Sequence, residues 1–164
     1  MGERAVRWVA GGLAVVLVAL LVAIGVVVTG QDDVDAGLTA AQQDVAGAAR
    51  AEALAFLTVD HRDMDPLIDA VLAGATGDFA EQYESQRDTL TSEAIRTEAT
   101  STGEVVALGV GDLDDDSATV LIAANSTVTN TSTGSKGQVR YYRLRLDLVR
   151  KGERWLTSDV QFVR

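Results

Sequence analysis

Only a few side chains in this sequence could do chemistry, and they fall in separate places. Asp60, His61, Asp63 and Tyr83 are the one set with the makings of acid/base catalysis, because His61 is the sole histidine and a general base needs a group that titrates near neutral pH. The same segment, DHRDMD from Asp60 to Asp65, follows a helical stretch and precedes Pro66. That is the composition of a polar loop between two helices. We read it as a solvated loop and assign it no catalytic role.

Asp112, Asp114 and Asp116 open like a calcium loop, D-x-D-x-D. Its sixth position is Ser117 rather than Gly, and its twelfth is Ala123 rather than the bidentate Glu. An acidic hairpin tip is the better reading. Asn125-Ser126-Thr127 and Asn130-Thr131-Ser132 fit the glycosylation pattern but sit in a Thr/Ser-rich strand end, where such triplets arise by chance. Arg140, Arg143, Arg145 and Arg150 interleave with Tyr141 and Tyr142, and cross-strand pairing with carboxylates accounts for them. Trp155 and Leu156 read as core and edge packing. No residue is assigned as catalytic, cofactor-binding or metal-binding, and no cofactor is expected.

Composition narrows the classes further. A formal charge of −10 and a pI near 4.4 argue against a general nucleic-acid binder. The absence of Cys removes disulfide scaffolds, thiolate metal sites and Cys nucleophiles. With 164 residues the chain holds one domain and a short appendage.

That appendage is apolar. Trp8 to Thr29 runs 22 residues without a charge, about 33 Å as a helix, which matches a bilayer core of roughly 30 Å. Arg4 and Arg7 precede it and Asp32, Asp33 and Asp35 follow it, so the positive-inside rule predicts a cytoplasmic N-terminus. The expected organisation is a tail over 1–7, a transmembrane helix over 8–29, a linker over 30–35 and an extracytoplasmic domain over 36–164. A cleaved secretory signal is the rival, with small residues at Val28-Thr29-Gly30, but its apolar region would be only 7–15 residues long. A single-pass protein of the cell membrane is therefore expected.

Within 36–164, the spacing of Val45, Ala49, Ala53, Phe56 and Leu57 predicts a helix over 36–59. Asp65-Pro66 reads as an N-cap and first helical residue, opening a helix that Gly74 ends. A third helix is expected over 78–100. After Ser101 the period changes to two, giving strands over 104–110, 117–129, 138–150 and 154–163. In the third, Tyr142, Leu144, Leu146 and Leu148 alternate with Tyr141, Arg143, Arg145 and Asp147. Three helices on a four-stranded antiparallel sheet, class α+β, is the expected architecture.

An N-terminal apolar helix, then AARAEALAFLTVDHRDMD, then TGDFAEQYESQRDTL, then strands ending RKGERWLTSDVQFV, resembles the Mce-associated membrane proteins of actinobacteria. The terminal hairpin is less specific, being similar to many NTF2-like (SnoaL-like) domains. The resemblance implies an NTF2-like cone with a curved sheet on a membrane stalk, acting as an accessory or scaffold subunit of an Mce-type system that imports fatty acids or sterols. It implies Mce transporter subunits as partners and leaves room for a lipid ligand in the cone. It carries over no catalytic residues, and His61 stands where the family often has an aromatic side chain. Two other readings stay open: a lipid or sterol carrier, and a dehydratase- or isomerase-type enzyme. An enzyme needs polar groups converging inside the cone, whereas Val120, Ile122, Ala124, Leu144, Leu146 and Leu148 make that face aliphatic.

Overall fold

A computed structural model describes residues 37–163. The expected tail, apolar span and linker lie outside the described residues. No helix among the described residues is long and apolar enough to cross a membrane.

From Leu38 onward the chain forms one compact unit. Its elements are α1 (Ala40–Leu57), β1 (Val59–Asp60), α2 (Asp65–Gly74), α3 (Gly77–Ser85), α4 (Arg87–Thr97), β2 (Thr100–Leu113), β3 (Ser117–Thr129), β4 (Gln138–Lys151) and β5 (Arg154–Phe162). A single turn of 3₁₀-helix, Gly134–Lys136, lies in the β3–β4 connection. The sheet order is β1-β2-β3-β4-β5, each neighbouring pair antiparallel. The class is α+β as expected, but with four helices and five strands instead of three and four.

Each departure has a physical cause. Helix α1 starts at Ala40 because Thr39 and Gln42 form a capping box. The Thr39 hydroxyl accepts from the Gln42 N–H at 3.3 Å, and the Gln42 amide oxygen accepts from the Thr39 N–H at 2.9 Å. The N-cap of α2 is Met64, not Asp65, which is the first helical residue; there its carboxylate meets the positive end of the helix dipole. The expected third helix breaks at Gln86 (φ −98°, ψ 1°) into α3 and α4. At the break the Ser85 hydroxyl donates to the Gln82 carbonyl at 2.8 Å, an alternative to continued helix. Arg87, just beyond it, ties Glu84 at 2.8 Å and Asp69 of α2 at 2.7 Å. Tyr83 and Leu90 thereby both pack on the small core of Met64, Ile68 and Ala94. Strand β1 is two residues long, too short to show a period, and pairs Val59 with Ser101 and Asp60 with Thr100.

The main core lies between α1 and the inward face of the sheet. Val45, Ala49, Ala53 and Leu57 pack over Val120, Ile122, Ala124, Leu144, Leu146 and Leu148. Alanines at two of the four α1 positions bring the helix close to the strands. Gly103 of β2 fits the same close approach, since a Cβ there would stand 2.7 Å from the Leu57 Cβ. Strands β4 and β5 turn tightly through Gly152 at φ +66°, the left-handed conformation glycine adopts freely.

Candidate functional site

The residues singled out by type are not gathered into one site. His61 donates its backbone N–H to the Ala99 carbonyl at 2.9 Å, and its Nδ1 lies 3.3 Å from the same oxygen. Asp60 grips Arg62, Oδ1 to Nε at 2.8 Å and Oδ2 to Nη2 at 2.5 Å. The Arg62 guanidinium holds the Asp60 carboxyl down at about 2, a group spent on its own loop. Tyr83 stands among aromatic rings instead, its phenol pushed up by burial and by the nearby Glu52 charge.

The Asp112–Asp116 stretch closes a hairpin, with the Asp114 N–H donating to the Ser117 carbonyl at 2.8 Å and the Arg150 N–H to the Asp116 carbonyl at 2.8 Å. With Asp44, Glu153 and Trp155 it borders an open, acidic cavity of about 660 Å³. No group of His, Asp and Glu among the described residues is arranged to hold a metal ion. Asn130 uses its side-chain oxygen to accept from the Ser132 and Thr133 N–H groups, both at 2.9 Å, and so fixes its own turn. The cross-strand pairing expected for the β4 arginines is corrected: Arg145 meets Asp147 on its own strand at 3.1 Å, and it is Thr119 that reaches Asp147 across the ladder at 2.8 Å. Arg150 lies over the Trp155 ring at 6.0 Å.

Two features were not singled out in the sequence. The first is an aromatic mouth. Phe56 stands 6.4 Å from Phe79, 6.1 Å from Tyr83 and 6.2 Å from Phe162, and Phe162 is 5.9 Å from Tyr142. All three Phe and two of the three Tyr thus meet in one cluster. Cavities of about 510 Å³ and 310 Å³ share Phe56 as a wall. The first is edged by Asp78, Gln82 and Asp159, so an apolar guest would lie on rings with polar groups at the rim.

The second is Glu52. It sits on α1 at 3 % exposure, and its Oε1 has no hydrogen-bond partner. Burial pushes its carboxyl up to about 8, so it is mostly neutral at pH 7. Gly74, the last residue of α2, makes room for it: a Cβ there would lie 2.0 Å from the Glu52 Oε2. Glu52, Arg154 and Trp155 line a cavity of about 380 Å³ whose other walls are mostly alanine. The Arg154 guanidinium donates to the Ala73 carbonyl at 2.6 Å. The hydroxyls of Thr91 and of Thr157 on β5 are likewise buried without a partner. The signal for Glu52 was present: counting three and four from Val45 and Ala49 reaches 52 before 53, on the buried face.

Among solved structures, the chain is similar to an IcmL-like type IV secretion system protein of Legionella pneumophila (TM-score 0.60, 12 % identity, covering 77 % of this chain and 94 % of that one). It is also similar to CagV, a VirB8 homologue of the Helicobacter pylori type IV secretion system (TM-score 0.58, 6 % identity, covering 74 % and 97 %). A ketosteroid isomerase-like protein of Erwinia carotovora has the same fold (TM-score 0.50, 22 % identity, covering 77 % and 99 %). These likenesses establish an NTF2-like fold. In sequence, 93 residues are 32 % identical to Rv1363c, an uncharacterized protein of Mycobacterium tuberculosis. That stretch is 57 % of this chain and only about a third (35 %) of the relative's length. The family described as "Uncharacterized protein Rv1363c/MT1408-like" matches residues 6–164, nearly the whole sequence, and the chain belongs to that family.

Proposed function

We propose that this protein is a membrane-anchored accessory subunit, an NTF2-like domain held outside the cell membrane as a scaffold for an Mce-type lipid-import system. The observation that carries the reading is the aliphatic packing of α1 on the sheet. Leu144, Leu146 and Leu148 are buried under the α1 stripe, where a carrier or an enzyme of this fold needs an open, partly polar cone. The charge asymmetry of Arg4 and Arg7 against Asp32, Asp33 and Asp35 supports the orientation. Two of the similar structures are type IV secretion system proteins, which is consistent with an assembly role. On this reading the protein is not an enzyme.

The aromatic mouth favours a second reading, a carrier that takes an acyl chain or sterol between Phe56, Phe79 and Phe162. One experiment separates the two. Tethering raises the effective concentration of a scaffold near its integral partner, whereas a carrier must diffuse with its cargo. In a deletion strain, labelled-lipid uptake is expected to return when Trp8–Thr29 is replaced by an unrelated membrane helix of the same orientation. It is expected to stay lost with a secreted 36–164 fragment. Full rescue by the untethered fragment rejects the scaffold and favours the carrier.

A further inference from the structure

We propose that the cavity between α1, α2 and the first residues of β5 is a binding site for a small organic carboxylate, held from within by the Glu52 carboxyl and at the rim by the Arg154 guanidinium. The site does not depend on whether the subunit is a scaffold or a carrier. Four alanines, two on α1 and two on α2, form its remaining walls with Gly74 and Trp155, around about 380 Å³. That is the small end of the range for ligand pockets, roughly 300–1,000 Å³, and suits one ring or a short branched chain. No wall residue is shared with the cavities of the aromatic mouth.

Two side chains decide what the ligand must be. Glu52 is almost wholly buried, its Oε1 has no hydrogen-bond partner, and its Oε2 stands over Gly74, which walls the same cavity. No cation offsets that burial. A carboxyl so placed keeps its proton and presents an O–H donor. The Arg154 guanidinium donates to the Ala73 carbonyl at 2.6 Å, which fixes it against the last turn of α2. A guanidinium carries several N–H donors, and that bond uses one. Two donors over apolar walls, one of them cationic, select an acceptor that is negative. A carboxylate meets both: one oxygen accepts from the Glu52 O–H, the other from Arg154, whose charge balances the ligand's. Both bonds are charge-assisted, and so are stronger than neutral ones. An ammonium ligand would meet the like charge of Arg154 instead. The β4–β5 hairpin adds Arg150 and Lys151 against the single Glu153. The acidic Asp114–Asp116 turn, which would repel an anion, borders the other cavity at Trp155 and not this one.

The test is a calorimetric titration of the full-length protein in detergent, near neutral pH, with three probes built on one ring: benzoate, benzyl alcohol and protonated benzylamine. Benzoate is expected to bind roughly tenfold more tightly than either of the others, or better. Arg154→Leu should weaken benzoate by roughly tenfold, and Glu52→Leu by a similar factor. Glu52→Gln puts an N–H donor where the O–H was, and should stay within about threefold of the parent. Leucine suits a buried position better than glutamine does, so loss with Leu and retention with Gln reports a lost donor and not a lost fold. Equal affinity for the three probes, or a preference for benzylamine, overturns the proposal. So does the absence of benzoate binding up to about 10 mM. Benzoate binding that survives both Arg154→Leu and Glu52→Leu overturns it as well, as does binding that Glu52→Gln abolishes as fully as Glu52→Leu.

Discussion

The two ends of helix α1 solve different problems. Its first half, through Val45 and Ala49, lies flat on Val120, Leu146 and Leu148 and leaves no polar atom inside. Its second half buries a carboxyl at Glu52 with one oxygen unpartnered, then carries Phe56 into a ring cluster beside open cavities. The first arrangement is what packing alone produces. The second leaves a buried acid unsatisfied, at a cost in stability that the aliphatic end offsets. The comparison teaches where each kind of substitution should hurt: loss of volume at the first end, loss of a proton at the second.

The largest effect should come from the aliphatic end. Leu146 is fully buried, and truncating such a leucine to alanine costs about 2–5 kcal/mol through lost burial and the cavity left behind. Leu146→Ala is expected to lower the unfolding free energy, read by chemical denaturation, by that much without altering its pH dependence. If the loss were under about 1 kcal/mol, this end would be less tightly packed than its burial indicates.

Glu52 should give the next effect, and a pH-dependent one. Its carboxyl goes from 4.5 in a solvated chain to about 8 in the fold. Below pH 4.5 the group is protonated in both states and costs nothing further. As pH rises toward 8 only the unfolded chain releases the proton, so folding stability falls; above about 8 both forms are ionised and the loss is complete. At pH 7 the proton linkage amounts to about 3 kcal/mol. Glu52→Gln is expected to remove this slope, so that the variant gains on the parent steadily between pH 5 and pH 8 in chemical denaturation. Parallel profiles would show that the carboxyl is solvated in the fold.

How much of this was legible in the sequence follows the same divide. Helix α1, helix α2 and the hairpin-linked strands β2 to β5 were readable because their apolar residues repeat at 3.6 or at 2, and alternation on β4 separated Leu144, Leu146 and Leu148 from Arg143 and Arg145 correctly. The break at Gln86 was not, because it rests on Arg87 reaching Asp69 eighteen residues away. Nor was β1, whose two residues exist as a strand only through Thr100 and Ser101. The aromatic mouth draws on positions 56, 79, 83, 142 and 162, which no local window joins. Glu52 was overlooked for another reason: an acid in an Ala-rich helix reads as a solvated face, and only the neighbouring Gly74 explains how it is housed.

That housing gives the smallest and sharpest comparison. Alanine ordinarily improves on glycine inside a helix by about 0.5–1 kcal/mol, and Gly74 has an ordinary negative φ, so backbone freedom does not require glycine there. What requires it is the Glu52 Oε2, 2.0 Å from where the Cβ would stand. Gly74→Ala is therefore expected to destabilise the parent by about 1–2 kcal/mol, as overpacking does. In a Glu52→Ala background the same change should become neutral or stabilising, because the space is then free. The two substitutions should show a coupling of about 1–2 kcal/mol in a double-mutant cycle read by chemical denaturation. Additive effects would mean that the carboxyl moves aside when crowded, and that the second end of α1 is looser than the first. A strong coupling would mean that Glu52 is held where it is from both sides, by its own helix and by α2, and that its proton is held with it.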